Sequence, residues 1–292
     1  MEKIISKEMS LGDRIKAYEK QFTQYTIDPS LPFLARVDGR SFSTFTSKLT
    51  KPFDQKFTFA MCETAKILVD EFQPLLSYVQ SDEITLLFKP CSDPLFSGKL
   101  SKLNSIIAST ATYWFNSLIG NDLPVNGVGI FDCRVFNVPD EWEAVNAIRF
   151  RYRDAFRNAV SAAARYNFGH SKTLNKNTDD KLAMLGDVWN TYPNEARFGQ
   201  FYHRVNVMKP IDIDKSKLDP EVAAKIPDEC VRSEIVPYTV NCMDYQHNMT
   251  VALNDPDLGI RTIANLPDVL FRNANATYVT RDPSAIESAN DA

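Results

Sequence analysis

The sequence is poor in histidine and cysteine, the residues that form most zinc sites and all disulfide frameworks. Its 292 residues include three histidines and five cysteines. The histidines are too scattered for a zinc site, and the cysteines show no metal-ligand spacing. An odd number of cysteines also argues against a secreted, disulfide-stabilised domain. These residues are His170, His203 and His247, and Cys62, Cys91, Cys133, Cys230 and Cys242.

Long apolar runs and an excess of positive charge are also lacking. No run approaches the roughly 18 apolar residues of a membrane span, and the charged N-terminus has no apolar core, so we expect a soluble cytoplasmic protein with no membrane partner. The net charge is −4 and the isoelectric point is near 5.5. Bulk electrostatic binding of nucleic acid is therefore not indicated, and any RNA contact must be local or assembled across subunits.

Two acidic residues stand where apolar strands are predicted to end. Residues 33–37 predict a short buried strand, which Asp38 follows. Residues 75–79 and 84–88 predict two more strands, separated by a tight hairpin that contains Asp82. Between these strands, apolar residues at helical spacing predict a helix over 54–72, with Asp54 in its first turn.

The order of these elements predicts a ferredoxin-like α+β fold. A second helix is predicted over 99–118 and a fourth strand over 128–136, which gives strand, helix, strand, strand, helix, strand. We therefore predict a palm-like domain with an antiparallel sheet over residues 1–145. A C-terminal α/β extension, residues 146–292, is expected to pack on it. In this topology the first strand lies antiparallel beside the third, so Asp38 and Asp82 should converge.

Two converging carboxylates suit a magnesium-dependent nucleotidyl-transfer centre. Hard divalent cations prefer oxygen ligands, and two ions about 3.5–4 Å apart can share such carboxylates. Gly39 has no side chain, so its carbonyl can approach a cation and the loop after it can fold over phosphates. The alternative is that Asp38 is an ordinary strand-end residue and that Ser81 and Asp82 are simply turn residues.

Four ordered blocks within about the first 140 residues carry a more specific signature. They are Ala35-Arg36-Val37-Asp38-Gly39-Arg40-Ser41-Phe42, Lys51-Pro52-Phe53-Asp54, Gln80-Ser81-Asp82-Glu83 and Phe131-Asp132-Cys133-Arg134-Val135-Phe136. Together with the helix start over residues 11–19, these blocks resemble the tRNA-histidine guanylyltransferase family, including its Thg1-like reverse polymerases.

The resemblance implies a palm that adds GMP or other nucleotides to the 5′ end of tRNA, with GTP and ATP as substrates. The RNA 5′ end is activated by adenylylation or carries a triphosphate, and the 3′-hydroxyl of the incoming GTP attacks it. Asp38 and Asp82 would then hold two magnesium ions with the Gly39 carbonyl. Glu83 should point away from Asp82 and support the catalytic site. The family also implies a homo-oligomer, a tetramer.

The resemblance further implies a set of nucleotide contacts. Arg36 and Lys51 match positions associated with nucleotide phosphates, and Lys99 and Lys102 match a basic pair with a similar role. For these two lysines a solvated helix surface is the open alternative, and for Phe42 the alternative to base stacking is packing in the core. The full nucleotide-binding set is Arg36, Gly39, Arg40, Ser41, Phe42, Lys51, Ser81, Lys99 and Lys102.

The second half departs from the eukaryotic family pattern. A His-Ile-Asn-Asn-Leu-Tyr-Asn block is typical there, whereas residues 156–162 read Phe-Arg-Asn-Ala-Val-Ser-Ala and keep only the asparagine at Asn158. Residues 154–158 instead resemble bacterial, archaeal and phage relatives, several of which are thought to repair 5′-truncated tRNAs on a template. Templated 5′-end repair is therefore the expected alternative to strict tRNA-histidine specificity.

The same region contains a stripe of arginines. Arg149, Arg153 and Arg157 follow one another at four-residue steps, so a helix would place them on one face. Such arginines can bind phosphates bidentately, and with Asn158 they are the predicted RNA-binding residues. Pairing with Asp154 or other surface acids is the alternative.

Two other classes of function share parts of this pattern. A nucleotidyl or diguanylate cyclase has the palm and a similar acidic hairpin, although the blocks around Asp38 and Asp54 argue against it. A non-catalytic RNA-binding module is the second alternative, since ferredoxin-like sheets often bind RNA.

Overall fold

A mixed sheet with helices on both faces organises the protein. The computed structural model describes residues 9–120, 124–125 and 127–238, and three short strands at 250–251, 261–262 and 277–278. In chain order the elements are α1 (Leu11–Thr23), β1 (Phe33–Gly39), α2 (Phe42–Phe45), α3 (Gln55–Phe72), β2 (Leu76–Gln80), β3 (Glu83–Phe88), α4 (Leu100–Ile119), β4 (Phe131–Asn137), α5 (Glu141–Phe168), α6 (His170–Thr173), α7 (Thr178–Leu185), α8 (Asn194–Phe198), β5 (Gln200–Pro210), α9 (Pro220–Ala223), β6 (Glu229–Tyr238), β7 (Thr250–Val251), β8 (Arg261–Thr262) and β9 (Thr277–Tyr278).

The strand order confirms the predicted ferredoxin-like unit. The main sheet runs β4-β1-β3-β2-β5-β6, and β1 is antiparallel to both β3 and β4. Strands β2 and β3 form the hairpin, and β5 pairs with the other edge of β2. Strand β9 pairs with β5 in parallel, while β7 and β8 form a separate pair. The predicted βαββαβ palm is therefore present and is widened by the C-terminal strands.

Each face of the sheet buries its own hydrophobic core, because alternate strand residues point to opposite faces. Val37 and Ile84 face the core that includes α3 and α4, whose inward side chains include Leu68 and Phe115. Leu34 faces the other core, which α5, α7 and α8 cover. The palm sheet is thus enclosed between two helical layers.

The predicted palm helices match closely, and their ends have local causes. Helix α3 begins after Asp54, whose carboxylate accepts a hydrogen bond of 3.0 Å from the amide of Phe57. The fourth strand begins at residue 131, not at the predicted residue 128. The Asn116 side chain of α4 accepts from the Gly129 amide and donates to its carbonyl, at 2.9 and 2.6 Å. These bonds tie Gly129 to the helix rather than to the sheet.

The C-terminal half is joined to the palm through the sheet. The predicted domain boundary near residue 145 falls inside α5, and β5 and β6 continue the palm sheet. The division into residues 1–145 and 146–292 stays a prediction, and much of 239–292 lies outside the described residues. No helix within the described ranges has the length and apolarity needed to cross a membrane.

Candidate active site

The register between β1 and β3 brings the two acidic strand ends together. Asp38 lies opposite Glu83 in the β1–β3 pairing, one residue from Asp82. The Gly39 amide donates a hydrogen bond of 3.0 Å to the carbonyl of Asp82. Ser81, with a φ of 54°, closes the two-residue turn between β2 and β3. Asp38 and Asp82 therefore lie next to each other at one end of the paired strands β1 and β3, as the topology predicts.

Burial and like charge act together on the Asp82 carboxyl. Burial raises its pKa, hydrogen bonds from its own backbone and from Ser81 act in the opposite direction, and the charge of Asp38 raises it further. A cation bound between the two acids would relieve both penalties. In the described ranges, no group of three or more His, Cys, Asp or Glu side chains is placed to hold a metal ion. The predicted donor set, the carboxylates of Asp38 and Asp82 with the Gly39 carbonyl, stays a prediction.

Glu83 is held by an arginine on α5. The Arg151 side chain donates from Nε to Oε1 and from its terminal nitrogen to Oε2 of Glu83, both at 2.5 Å. Burial raises the pKa of Glu83, and the hydrogen bond and charge of Arg151 act in the opposite direction. Asp154, one turn along α5, lies 3.5 Å from the same guanidinium. This arrangement fits the predicted supporting role of Glu83, which stays a prediction.

Arg36 lies beside Asp38 and Glu83 but forms only long contacts with them. Its terminal nitrogen is 3.7 Å from Oδ2 of Asp38, and its Nε is 3.9 Å from Oε2 of Glu83. The Nε atom is buried and has no hydrogen-bond partner among the described residues. The side chain retains 22% of its exposure. Arg36 thus keeps donor capacity at the site where a phosphate is expected.

A cavity of about 320 Å³ opens beside Asp82. Its walls come from the segment between α2 and α3, the β2–β3 hairpin, α5 and α8. Lys51 lies in the wall and donates a hydrogen bond of 3.0 Å to the carbonyl of Thr46. Of the predicted site residues, the cavity brings together Phe42, Lys51, Ser81, Asp82 and Asn158.

The loop after β1 is fixed by packing around Gly39. A Cβ on Gly39 would lie 2.5 Å from the ring of Phe42, so only glycine leaves room for this ring. Phe42 is 3% exposed and packs against Phe115 and Phe131, with ring centroids 5.4 and 4.9 Å away. Of the two alternatives for Phe42, the structure shows core packing, although the residue also lines the cavity.

The remaining loop residues make backbone contacts. Arg40 is exposed, and its amide donates a hydrogen bond of 2.8 Å to the carbonyl of Ile130. Ser41 precedes α2 with a φ of 58°, and its side chain makes no capping hydrogen bond. Their roles in nucleotide binding stay predictions.

Lys99 and Lys102 are not brought to the acidic pair within one chain. Helix α4 is 20 residues long, about 30 Å, and its C-terminal part packs on Phe42 near the cavity. Its first turn lies at the opposite end of the palm, where the Leu100 amide bonds to the carbonyl of Tyr25. Lys99 also precedes the helix rather than lying within it. Their predicted role in nucleotide binding stays a prediction.

The arginine stripe lies on α5 as predicted, and Arg157 within it is paired with an acid. Arg157 donates a hydrogen bond of 2.8 Å to Asp154, and the Asn158 amide donates to the other oxygen of Asp154 at 3.4 Å. The pairing alternative thus holds for Arg157, while RNA binding by Arg149, Arg153 and Arg157 stays a prediction. Sequence spacing missed Arg151, because nothing in a run of arginines marks the one that turns toward the sheet.

The divergent segment over residues 156–162 contributes Phe156, Ala159 and Val160 to the core, while Arg157, Asn158 and Ala162 are exposed. Phe156, at the first position of the missing block, is buried, and its ring stacks on Phe198 with centroids 5.9 Å apart. Trp189 meets the same ring edge-on. Phe156 therefore belongs to an aromatic cluster with Trp189 and Phe198 in the core that α5 and α8 share.

Comparisons with known proteins agree with this fold. The sequence profile of the family described as tRNAHis guanylyltransferase matches residues 12–139. An uncharacterized protein, R259 of Acanthamoeba polyphaga mimivirus, is 32% identical over 220 residues, which cover 65% of this chain and 75% of that protein.

Solved structures show the same likeness. Two structures of a bacterial tRNA(His) guanylyltransferase (Thg1)-like protein, in complex with ATP and with GTP, are 32% and 27% identical, each with a TM-score of 0.61. The matches cover 66% and 78% of this chain and 88% and 91% of those chains. The tRNA(His) guanylyltransferase of Saccharomyces cerevisiae, 22% identical with a TM-score of 0.57 over 63% of this chain and 90% of that one, supports the fold.

The palm fold, shared with the bacterial Thg1-like protein, is that of a nucleotidyltransferase. More narrowly, this chain belongs to the tRNA(His) guanylyltransferase family, whose members are tRNA guanylyltransferases.

Proposed function

We propose that this chain is a magnesium-dependent enzyme that adds nucleotides to the 5′ end of a tRNA, in the 3′-to-5′ direction. The observation that carries the proposal is the pair Asp38 and Asp82 beside a cavity of about 320 Å³. The ATP and GTP complexes of the bacterial relatives support nucleoside triphosphates as ligands of this cavity.

The acids and the Gly39 carbonyl would hold two magnesium ions. The fit rests on the buried Asp82 carboxyl beside a second carboxylate, an arrangement that a cation stabilises. When bound, the ions neutralise phosphate charge and make a hydroxyl more acidic.

Cationic side chains around the acids would hold the triphosphate. Arg36 offers unused donors beside Asp38, and Lys51 stands in the cavity wall. Arginine can bind two phosphate oxygens at once, whereas the lysine ammonium acts as a compact charge. The cavity walls shield the nucleoside from water, which strengthens these interactions.

The reaction forms one phosphodiester bond and breaks one bond at the same phosphorus. The 3′-hydroxyl oxygen of the incoming nucleotide attacks the 5′ phosphorus of the activated RNA. AMP leaves after adenylylation, or pyrophosphate leaves from a 5′-triphosphate, and the hydroxyl proton passes to solvent. Alignment of the two groups by the site supplies much of the rate.

We further propose that templated repair of 5′-truncated tRNA is preferred over untemplated addition to tRNA-histidine. This preference is favoured by the missing His-Ile-Asn-Asn-Leu-Tyr-Asn block, whose first position is occupied here by Phe156, a buried core residue. Side-by-side assays of a truncated tRNA and of tRNA-histidine test it, and equal or reversed efficiencies would contradict it.

The central experiment supplies tRNAs with intact or shortened 5′ ends, labelled GTP, ATP and magnesium, and maps the added label. Label at the 5′ end that depends on magnesium and is lost in Asp82→Asn supports the proposal. Cyclic product from GTP alone would support a cyclase instead. RNA binding with no transfer, unaffected by Asp82→Asn, would support a non-catalytic binding module.

A further inference from the structure

Arg151 occupies both carboxylate oxygens of Glu83. Its two hydrogen bonds are 2.5 Å each, in the side-on geometry that makes arginine–carboxylate pairs strong. Asp154 lies 3.5 Å from the same guanidinium and helps to orient it. Both oxygens of Glu83 therefore accept a hydrogen bond from the α5 side of the sheet, and its charge is matched by the guanidinium.

Arg36 approaches Glu83 from β1 but is not bonded to it. Its Nε is 3.9 Å from Oε2 of Glu83, beyond hydrogen-bond distance, and it has no other partner among the described residues. A buried donor without a partner is costly unless a ligand completes it. The Glu83 oxygen nearest Arg36 already accepts a hydrogen bond from Arg151, so a second guanidinium there would meet a neutralised carboxylate and a like charge.

We propose that Arg151 is a positioning residue that keeps Arg36 available for a phosphate oxygen. By neutralising the Glu83 carboxylate, Arg151 weakens the attraction that would draw the Arg36 guanidinium across the gap of 3.9 Å into an internal ion pair. The proposal rests on the proposed function only in naming the nucleotide triphosphate as the source of that phosphate.

Removal of Arg151 should redirect Arg36. A partly buried carboxylate that loses its partner recruits the nearest cation, because leaving it unpaired is expensive. Arg36 is the other cation in contact with Glu83 within the described ranges. Once Arg36 is paired with Glu83, its N–H groups are directed at that carboxylate and are no longer available to a triphosphate.

The test measures binding rather than turnover. The full chain is titrated in EDTA with GTP, with guanosine and with inorganic tripolyphosphate. We expect Arg151→Gln to weaken the binding of GTP and of tripolyphosphate at least about tenfold, because one charge-assisted contact is lost. The affinity for guanosine should not change. The double variant Glu83→Gln/Arg151→Gln should recover most of the loss, because a neutral amide no longer captures Arg36.

Arg204→Gln is the matched control. This arginine also pairs with an acid, Asp70, at 2.7 Å, but it lies on β5 outside the cavity lining. The Arg204→Gln variant should bind GTP and tripolyphosphate with the same affinities as the unmodified chain. Arg151→Lys provides a second test if Arg151→Gln does not fold, since one ammonium leaves a Glu83 oxygen open to Arg36, and anion affinity must again fall.

Three outcomes would overturn the inference. They are unchanged affinity for GTP and tripolyphosphate in the Arg151 variants, an equal loss of affinity for guanosine, or no recovery of anion affinity in the double variant. Failure of the proposed function looks different. In that case the unmodified chain would not bind GTP, while its affinity for tripolyphosphate would still fall when Arg151 is replaced.

Discussion

The amide of Gly39 donates a hydrogen bond of 3.0 Å to the carbonyl of Asp82. This backbone bond joins the end of β1 to the β2–β3 hairpin, so the proximity of Asp38 and Asp82 does not depend on either side chain. The acids can therefore be replaced without undoing the structure that brings them together.

Asp38→Ala and Asp82→Ala should each abolish nucleotide transfer and leave the fold intact. Loss of either carboxylate should remove several kcal/mol of transition-state stabilisation, about a thousandfold in rate. Single-turnover transfer and thermal unfolding are measured together. Asp212→Ala, at an exposed position, is the control. Near-normal turnover in either acid variant would contradict the two-metal proposal.

Gly39→Ala should destabilise the protein by about 1–3 kcal/mol, because the new Cβ would lie 2.5 Å from the ring of Phe42. Denaturant unfolding measures the change. Gly12→Ala in α1 is the matched control, since its Cβ would meet only Ser10 Oγ at 4.0 Å. That variant should be neutral or stabilised by up to about 1 kcal/mol. Equal stabilities of the two variants would rule out the clash.

Single replacements of Arg149, Arg153 or Arg157 by glutamine should weaken tRNA binding. Each lost phosphate contact should also flatten the salt dependence of affinity by about one unit of slope. Labelled tRNA is titrated at several salt concentrations, with Lys66→Gln on α3 as the control. If the arginines only pair with acids, as Arg157 does with Asp154, affinity and slope stay unchanged and stability changes by at most about 1 kcal/mol.

His203 should make the protein less stable as the pH falls below about 6.5. Burial lowers the pKa of His203, and a hydrogen bond with the backbone of Leu75 acts in the opposite direction. The unfolded chain therefore takes up a proton near pH 6.5 that the folded chain refuses, so this contribution to stability is full above that pH and is lost below it.

His203→Gln should reduce the slope of the unfolding free energy between pH 7 and pH 5 by up to about 1.4 kcal/mol per pH unit. Denaturant unfolding at several pH values measures the slope. The exposed His170→Gln is the control and should keep the slope of the unmodified chain. A slope unchanged in His203→Gln would show that the histidine is not the source.

The palm and the proximity of Asp38 and Asp82 could be predicted because the order of strands and helices along the chain, and the length of the β2–β3 turn, can be read from local sequence. The same topology places Lys99 and Lys102 at the other end of the sheet from Asp38, because the chain has crossed to that end after β3 and α4 begins there. Their spacing on a helix says nothing about which end of the domain they occupy.

Arg151 is a different case. It lies among other arginines on α5, and only the packing of that helix on the sheet decides which of them reaches Glu83. Similarly, Glu195 and Ala196 close the cavity from α8, far along the chain from the palm. Contacts of this kind depend on tertiary structure, which hydrophobic periodicity does not encode.

Strand β5 covers the outer edge of β2, with Tyr78 opposite Phe201. A chain cut after residue 139, where the family match ends, would expose that edge as a row of unpaired amides and carbonyls. Such an edge readily pairs with a neighbouring molecule. An isolated palm would therefore be prone to aggregation as well as open at its cavity, and attempts to obtain a minimal enzyme should retain the chain through β6.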